Sequence, residues 1–185
     1  ALIGETVQTS SVRVAVMIDG KEFVLGGRRI REGCLARLFP PNSESRVDIV
    51  RITTTEKTIS GVVEIARVLK ELGYTVAANL MQVSGLTDDS VSEAARALDE
   101  SSVDIMYLAD SFGGLTPSRT SRMFELVRKN FSRTVGFHGH DNLGLALANS
   151  IAAVDSGATI VDCSLLGMGR GAGNLRTEQF LLYLR

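Results

Sequence analysis

Val103-Asp104-Ile105-Met106-Tyr107-Leu108-Ala109-Asp110-Ser111-Phe112-Gly113-Gly114-Leu115-Thr116-Pro117 contains one complete structural unit. Val103 to Leu108 is a short apolar run of the kind found in parallel strands covered on both faces. Asp110-Ser111 ends it with polar groups, and the glycines that follow suit a turn. Thr116-Pro117 then opens a helix, with proline at the first helical position and Met123, Leu126 and Val127 on its apolar side.

The same plan repeats along the chain. Comparable runs cover Val12 to Ile18, Val47 to Ile52, Thr75 to Leu80, Thr134 to Phe137 and Thr159 to Cys163. Amphipathic stretches lie between them. Ile59, Val62, Val63, Ala66 and Leu69 form one stripe, and Val91, Ala94, Ala95 and Leu98 another behind a cap at Thr87 or Asp88. Leu145 to Val154 and Asn174 to Leu184 read as two more helices. Residues 20–46 read as a loop with one short helix, carrying the basic cluster Arg28, Arg29 and Arg31, expected to be a solvated face. The strand starts fall 35, 28, 28, 31 and 25 residues apart, close to the size of one βα unit. The expected class is α/β. A (β/α)8 barrel needs about 250 residues, so six units spanning residues 1–185 fit an incomplete TIM barrel. An open doubly wound sheet is the alternative. No Gly-x-Gly-x-x-Gly turn follows the first run, which disfavours a dinucleotide fold.

Composition sets limits on function. The 185 residues are 44% hydrophobic and 22% charged, with a net charge of -1. This excludes a disordered chain and a nucleic-acid binder that works by bulk positive charge. No apolar run reaches the roughly 18 residues of a membrane span, and residues 1–5 show no signal-peptide pattern. The two cysteines, Cys34 and Cys163, form no disulfide or metal pattern, which fits a reducing, cytoplasmic setting.

Functional residues of parallel α/β sheets gather at the carboxyl ends of strands. Here those ends carry Asp19, Thr53-Thr54-Thr55, Asn79 with Gln82, Asp110-Ser111, His138-Gly139-His140, and Asp162-Cys163-Ser164. Alternate strand residues share a face, so His138 and His140 can converge on one divalent metal. A third ligand is needed. Asn174 is a candidate through its carbonyl oxygen, or else a helix cap. Gly167-Met168-Gly169-Arg170-Gly171-Ala172-Gly173-Asn174 is a glycine-rich loop in which Gly169 allows close ligand approach and Arg170 can pair with a carboxylate or phosphate. It serves equally well as a structural loop. Asp110 is a candidate general base, or a loop aspartate bonded to backbone amides. Asn79, Gln82 and Ser164 are candidate substrate contacts.

Phe137-His138-Gly139-His140-Asp141-Asn142-Leu143-Gly144, with Asp110-Ser111-Phe112-Gly113 before it and Gly167 to Asn174 after it, resembles the motifs of the DRE-type metal-dependent TIM-barrel lyases and synthases. The Met-Gly-Arg-Gly-Ala-Gly-Asn form looks most like the 4-hydroxy-2-oxovalerate aldolase-like branch. The resemblance implies metal ligation by His138, His140 and Asn174, with Mn or Mg, or else Zn or Co. It implies catalytic roles for Asp110, Ser111 and Arg170 at the same mouth. The implied substrate is a small 2-oxo acid, cleaved to pyruvate and an aldehyde through an enolate. The first-strand Asp-x-Thr-Leu-Arg-Asp segment of that superfamily is absent from residues 1–185, so the strands present are expected to be two to seven. The cysteine of the lyase branch is absent as well. An acyl-CoA-condensing synthase and an inactive barrel acting as a binding module stay as alternatives. Exposed barrel edges predict a homo-oligomer.

Overall fold

The computed structural model describes residues 12–25, 29–30 and 32–185. Its frame is a six-stranded parallel sheet built from β1 (Ala15–Asp19), β4 (Ile49–Thr54), β5 (Thr75–Leu80), β6 (Ile105–Asp110), β7 (Thr134–Gly139) and β8 (Ile160–Asp162), adjacent in that order. A two-stranded antiparallel ladder, β2 (Val24–Leu25) with β3 (Arg29–Ile30), sits beside it. The helices are α1 (Glu32–Leu38), α2 (Ile59–Glu71), α3 (Asp88–Asp99), α4 (Pro117–Asn130), α5 (Ala146–Asp155) and α6 (Thr177–Tyr183). All six expected strands form. Residues 20–46 hold α1 as expected, and also the small ladder, which the sequence reading treated as loop. Arg28 and Arg31 of the basic cluster lie outside the described residues, as does the side chain of Arg29.

Each helix begins where local chemistry stops the strand. Thr87 accepts a hydrogen bond from the Ser90 amide and caps α3, and Thr116 does the same for Arg119 at α4, ahead of Pro117. Such caps satisfy backbone donors that have no partner within the helix. The expected helix from Asn174 begins later, at Thr177 with Arg176 as its cap. Asn174 is held instead in an antiparallel bridge with His140, and Arg176 in a parallel bridge with Ser164.

Strand alternation divides the core in two. Val50, Ile52, Val76, Ala78, Leu80, Met106 and Leu108 face the helices and join the main apolar core. Ala77, Ile105 and Tyr107, with Ile49 and Ile160, form a separate cluster on the opposite, concave face. The curl of the sheet is visible in one contact. Arg51 on β4 and Asp162 on β8 lie four strand spacings apart, or about 19 Å in a flat sheet. Their side chains nevertheless meet at 2.6 and 3.0 Å, which requires a sheet rolled into part of a barrel. Beyond β8 the surface is apolar, with Leu165, Leu166, Met168, Leu181, Leu182 and Leu184 all more than half exposed. No helix among the described residues is long and apolar enough to cross a membrane.

Candidate functional site

The concave face opens at the carboxyl ends of the strands into a cavity of about 800 Å³. Its lining includes Asp19, Thr53, Asn79, Gln82, Ser111, His138, His140 and Arg170. Strand alternation brings polar side chains to this face alongside apolar ones. Arg51, Asn79, Tyr107, His138 and Asp162 occupy concave positions, while their neighbours in sequence pack under the helices.

His138 and His140 do share a face, with ring centroids 5.1 Å apart. His138 Nδ1 lies 3.0 Å from Asp162 Oδ2. Burial alone would raise the Asp162 carboxyl, but hydrogen bonds from His138 and Arg51, and the charge of Arg51, hold it below its ordinary value. An ionised carboxylate only accepts, so Nδ1 carries the hydrogen in this contact. Burial holds His140 below the usual histidine range, and the charge of neighbouring His138 adds to this. The backbone carbonyls of Arg170 and Gly173 pull it the other way.

The glycine-rich loop is arranged around Asn174. A Cβ on Gly169 would sit 2.5 Å from Asn174 Nδ2, and one on Gly173 would sit 2.3 Å from the Gly167 carbonyl oxygen. Gly173 also has φ of +98°, a backbone conformation that L side chains disfavour. Asn174 Nδ2 donates to the Met168 carbonyl, while its Oδ1 is buried without a hydrogen-bond partner. An unpaired buried carbonyl oxygen is uncommon and needs an explanation. Among the described residues, no three His, Cys, Asp or Glu side chains gather to hold a metal. The donors at this end of the sheet are the two imidazoles that line the cavity and, on the segment bridged to His140, one unpaired amide oxygen.

Other expected site residues fall in different places. Asp110 is fully buried. Its alternation places it on the helix side of β6, and its carboxylate oxygens accept from the amides of Gly114 and Leu115 at 3.1 and 2.9 Å. The side chain shapes the turn that carries Ser111 and Phe112, and its charge reaches His140, where it favours the protonated imidazole. Ser111 does line the cavity, and its Oγ accepts from the Gln82 amide at 3.0 Å. Gln82 takes a left-handed φ of 60°. Ser164 and Gly169 fall outside the cavity lining. Ser164 Oγ is buried without a partner and away from the cavity lining, and Gly169 makes room for Asn174.

Sequence reading missed Arg51. Its guanidinium stacks 3.8 Å over the Tyr107 ring, donates through Nε to Asn79 Oδ1 at 3.1 Å, and makes a two-pronged bond to Asp162. A Cβ on Gly136 would lie 2.5 Å from the Tyr107 ring, so that glycine lets the ring lie flat across β7. A signal was present: Arg51 precedes Asn79 by 28 residues, the period of the repeat.

The HMGL-like family model matches residues 35–185. The chain is 36% identical over 144 residues to the 4-hydroxy-2-oxovalerate aldolase of Pelotomaculum thermopropionicum, covering 77% of this chain and 42% of that protein. It is 38% identical over 132 residues to the enzyme of the same name from Carboxydothermus hydrogenoformans, covering 70% and 39%. The chain thus spans about two fifths of the length of these curated relatives. The crystal structure of the N-terminal domain of a candidate aldolase from Bacteroides vulgatus superposes with a TM-score of 0.85 at 34% identity, covering 99% of this chain and 58% of that one. A hydroxymethylglutaryl-CoA lyase from Pseudomonas aeruginosa shares the fold at a TM-score of 0.77 and 21% identity, covering 99% and 65%. With most of its length inside the family match and its curled sheet shared with TIM-barrel aldolases and lyases, the chain belongs to the HMGL-like family, on the aldolase branch of the DRE-type TIM-barrel superfamily.

Proposed function

We propose that this chain forms part of a divalent-metal-dependent aldolase that cleaves a 4-hydroxy-2-oxo acid to pyruvate and an aldehyde. The observation that carries this is the pair His138 and His140 facing one cavity, with Asp162 fixing the tautomer of the first. Metal-ligating histidines characteristically donate their second nitrogen to a carboxylate or carbonyl in this way. The donor chemistry fits a divalent ion: two imidazoles and the unpaired Oδ1 of Asn174, on the segment bridged to His140, leave room for substrate oxygens and water. When bound, the ion supplies Lewis acidity at the 2-oxo group, where charge develops as the carbon–carbon bond breaks.

The chain's own groups bind and orient the substrate. Arg170, exposed at the cavity, is placed to pair with the substrate carboxylate. Asn79 lines the same cavity with its Nδ2 free to donate to a carbonyl oxygen. The Ser111 hydroxyl accepts from the Gln82 amide and so keeps its own hydrogen for a ligand in the mouth. Asp110 contributes by holding the turn that presents Ser111.

The test is pyruvate release from a 4-hydroxy-2-oxo acid by the full protein that carries this chain, coupled to NADH consumption by lactate dehydrogenase. Release is expected to require added Mn or Mg and to be lost in His138→Ala. Metal-independent release, or full activity in that variant, would overturn the reading.

A further inference from the structure

The groups on the concave face converge on one side chain that the proposed chemistry does not use. Arg51 engages all three of its nitrogens: Nε reaches Asn79 Oδ1, and the two terminal nitrogens reach the two oxygens of Asp162. Its flat face lies on Tyr107, and its side chain is only 13% exposed. A guanidinium has five donors, no acceptor and a planar fork, so it dictates which atom each partner turns toward it.

We infer that Arg51 is a positioning residue that sets the orientation of two site groups at once. On one side it must face the oxygen of the Asn79 amide. Asn79 Nδ2 then points elsewhere, and no described residue accepts from it, although Asn79 lines the cavity. On the other side the fork pins the Asp162 carboxylate, which in turn holds the cavity-lining His138 through Nδ1. A buried ion pair is weak evidence for stability, because desolvation offsets its attraction. The geometric control over Asn79 and His138 gives the pair a role that an apolar replacement could not fill. Lysine would keep the charge but could not hold an amide and both carboxylate oxygens together.

The consequence for metal affinity rests on the proposed metal site at His138, whereas the consequence for His138 itself does not. The experiment uses the full protein that carries this chain, its Arg51→Lys variant and its Arg51→Gln variant. The His138 ring nitrogens are read by 15N–1H correlation in the metal-free protein, and Mn affinity by titration calorimetry. The parent is expected to show one tautomer, with the hydrogen on Nδ1. Either variant that folds, as judged by far-UV circular dichroism, is expected to show mixed tautomers and Mn affinity lower by roughly tenfold or more. Unchanged nitrogen shifts in a folded variant would overturn the proposal. Failure of both variants to fold would also overturn it, leaving Arg51 as a structural brace. A parent that binds no Mn would defeat the metal reading, while the nitrogen shifts would still decide the role of Arg51.

Discussion

Replacing Asp110 separates a chemical role for that carboxylate from the structural one seen here. In Asp110→Ala, the amides of Gly114 and Leu115 both lose their acceptor. The two losses differ in cost. Leu115 is 1% exposed, so its amide is stranded away from water; a buried unsatisfied donor costs about 2 kcal/mol. Gly114 is exposed, and water can replace the carboxylate there at a cost of about 1 kcal/mol. The total of about 3 kcal/mol corresponds to a fall in Tm of roughly 6–12 °C for a domain of this size. Asp110→Asn keeps one acceptor oxygen, so about half that loss is expected. Thermal unfolding followed by circular dichroism gives the stability loss, and Mn titration calorimetry gives the effect on the site, which should stay below about tenfold because Asp110 reaches His140 only through its charge. A Tm change under about 2 °C together with a large loss of Mn affinity would refute the reasoning and return Asp110 to the mouth of the site.

Gly173→Ala would force a side chain onto a left-handed backbone and against the Gly167 carbonyl. A cost of at least about 2 kcal/mol is expected, read as a lower Tm with faster proteolysis between residues 165 and 176. Thr87→Ala removes the α3 cap, costing about 1 kcal/mol in urea unfolding. Asp88 accepts from Arg119 and Arg122, hydrogen bonds that hold its carboxyl below the ordinary range. Its contribution is therefore present above an unfolded pKa of about 4 and disappears as the pH falls through the lower folded value. Asp88→Asn should lower the urea midpoint at pH 7 and match the parent at strongly acid pH.

The parts of the fold legible in the sequence were those governed by local rules. Apolar runs gave the strands, and Thr87 and Thr116-Pro117 gave two helix starts, because capping needs only neighbours three residues away. The His138 and His140 pair was legible because strand alternation fixes a shared face. Long-range contacts were hidden. Arg51 interrupts the apolar stretch Ile49 to Ile52 and looks like a surface residue until the curled sheet brings Asp162 to it from 111 positions away. The two readings of Asp110 stayed open because a strand-end carboxylate can face either side, and only the count from Tyr107 shows that it points under the helices. Asn174 looked like a helix start because its bridge to His140 joins segments 34 residues apart in sequence, beyond any local pattern.

The contact between Arg51 and Asp162 also constrains the order of folding. Each neighbouring strand pair joins segments roughly 30 residues apart, so βα units can dock one after another with modest loop-closure cost. The ion pair cannot form by that route until β8 has joined the sheet and the sheet has curled. A contact of such long sequence separation is expected to form late, after its loop-closure cost has been met by the strands between. His138 is thus set in its final orientation at the last step, so changes at Arg51 should speed unfolding while leaving the refolding rate nearly unaltered.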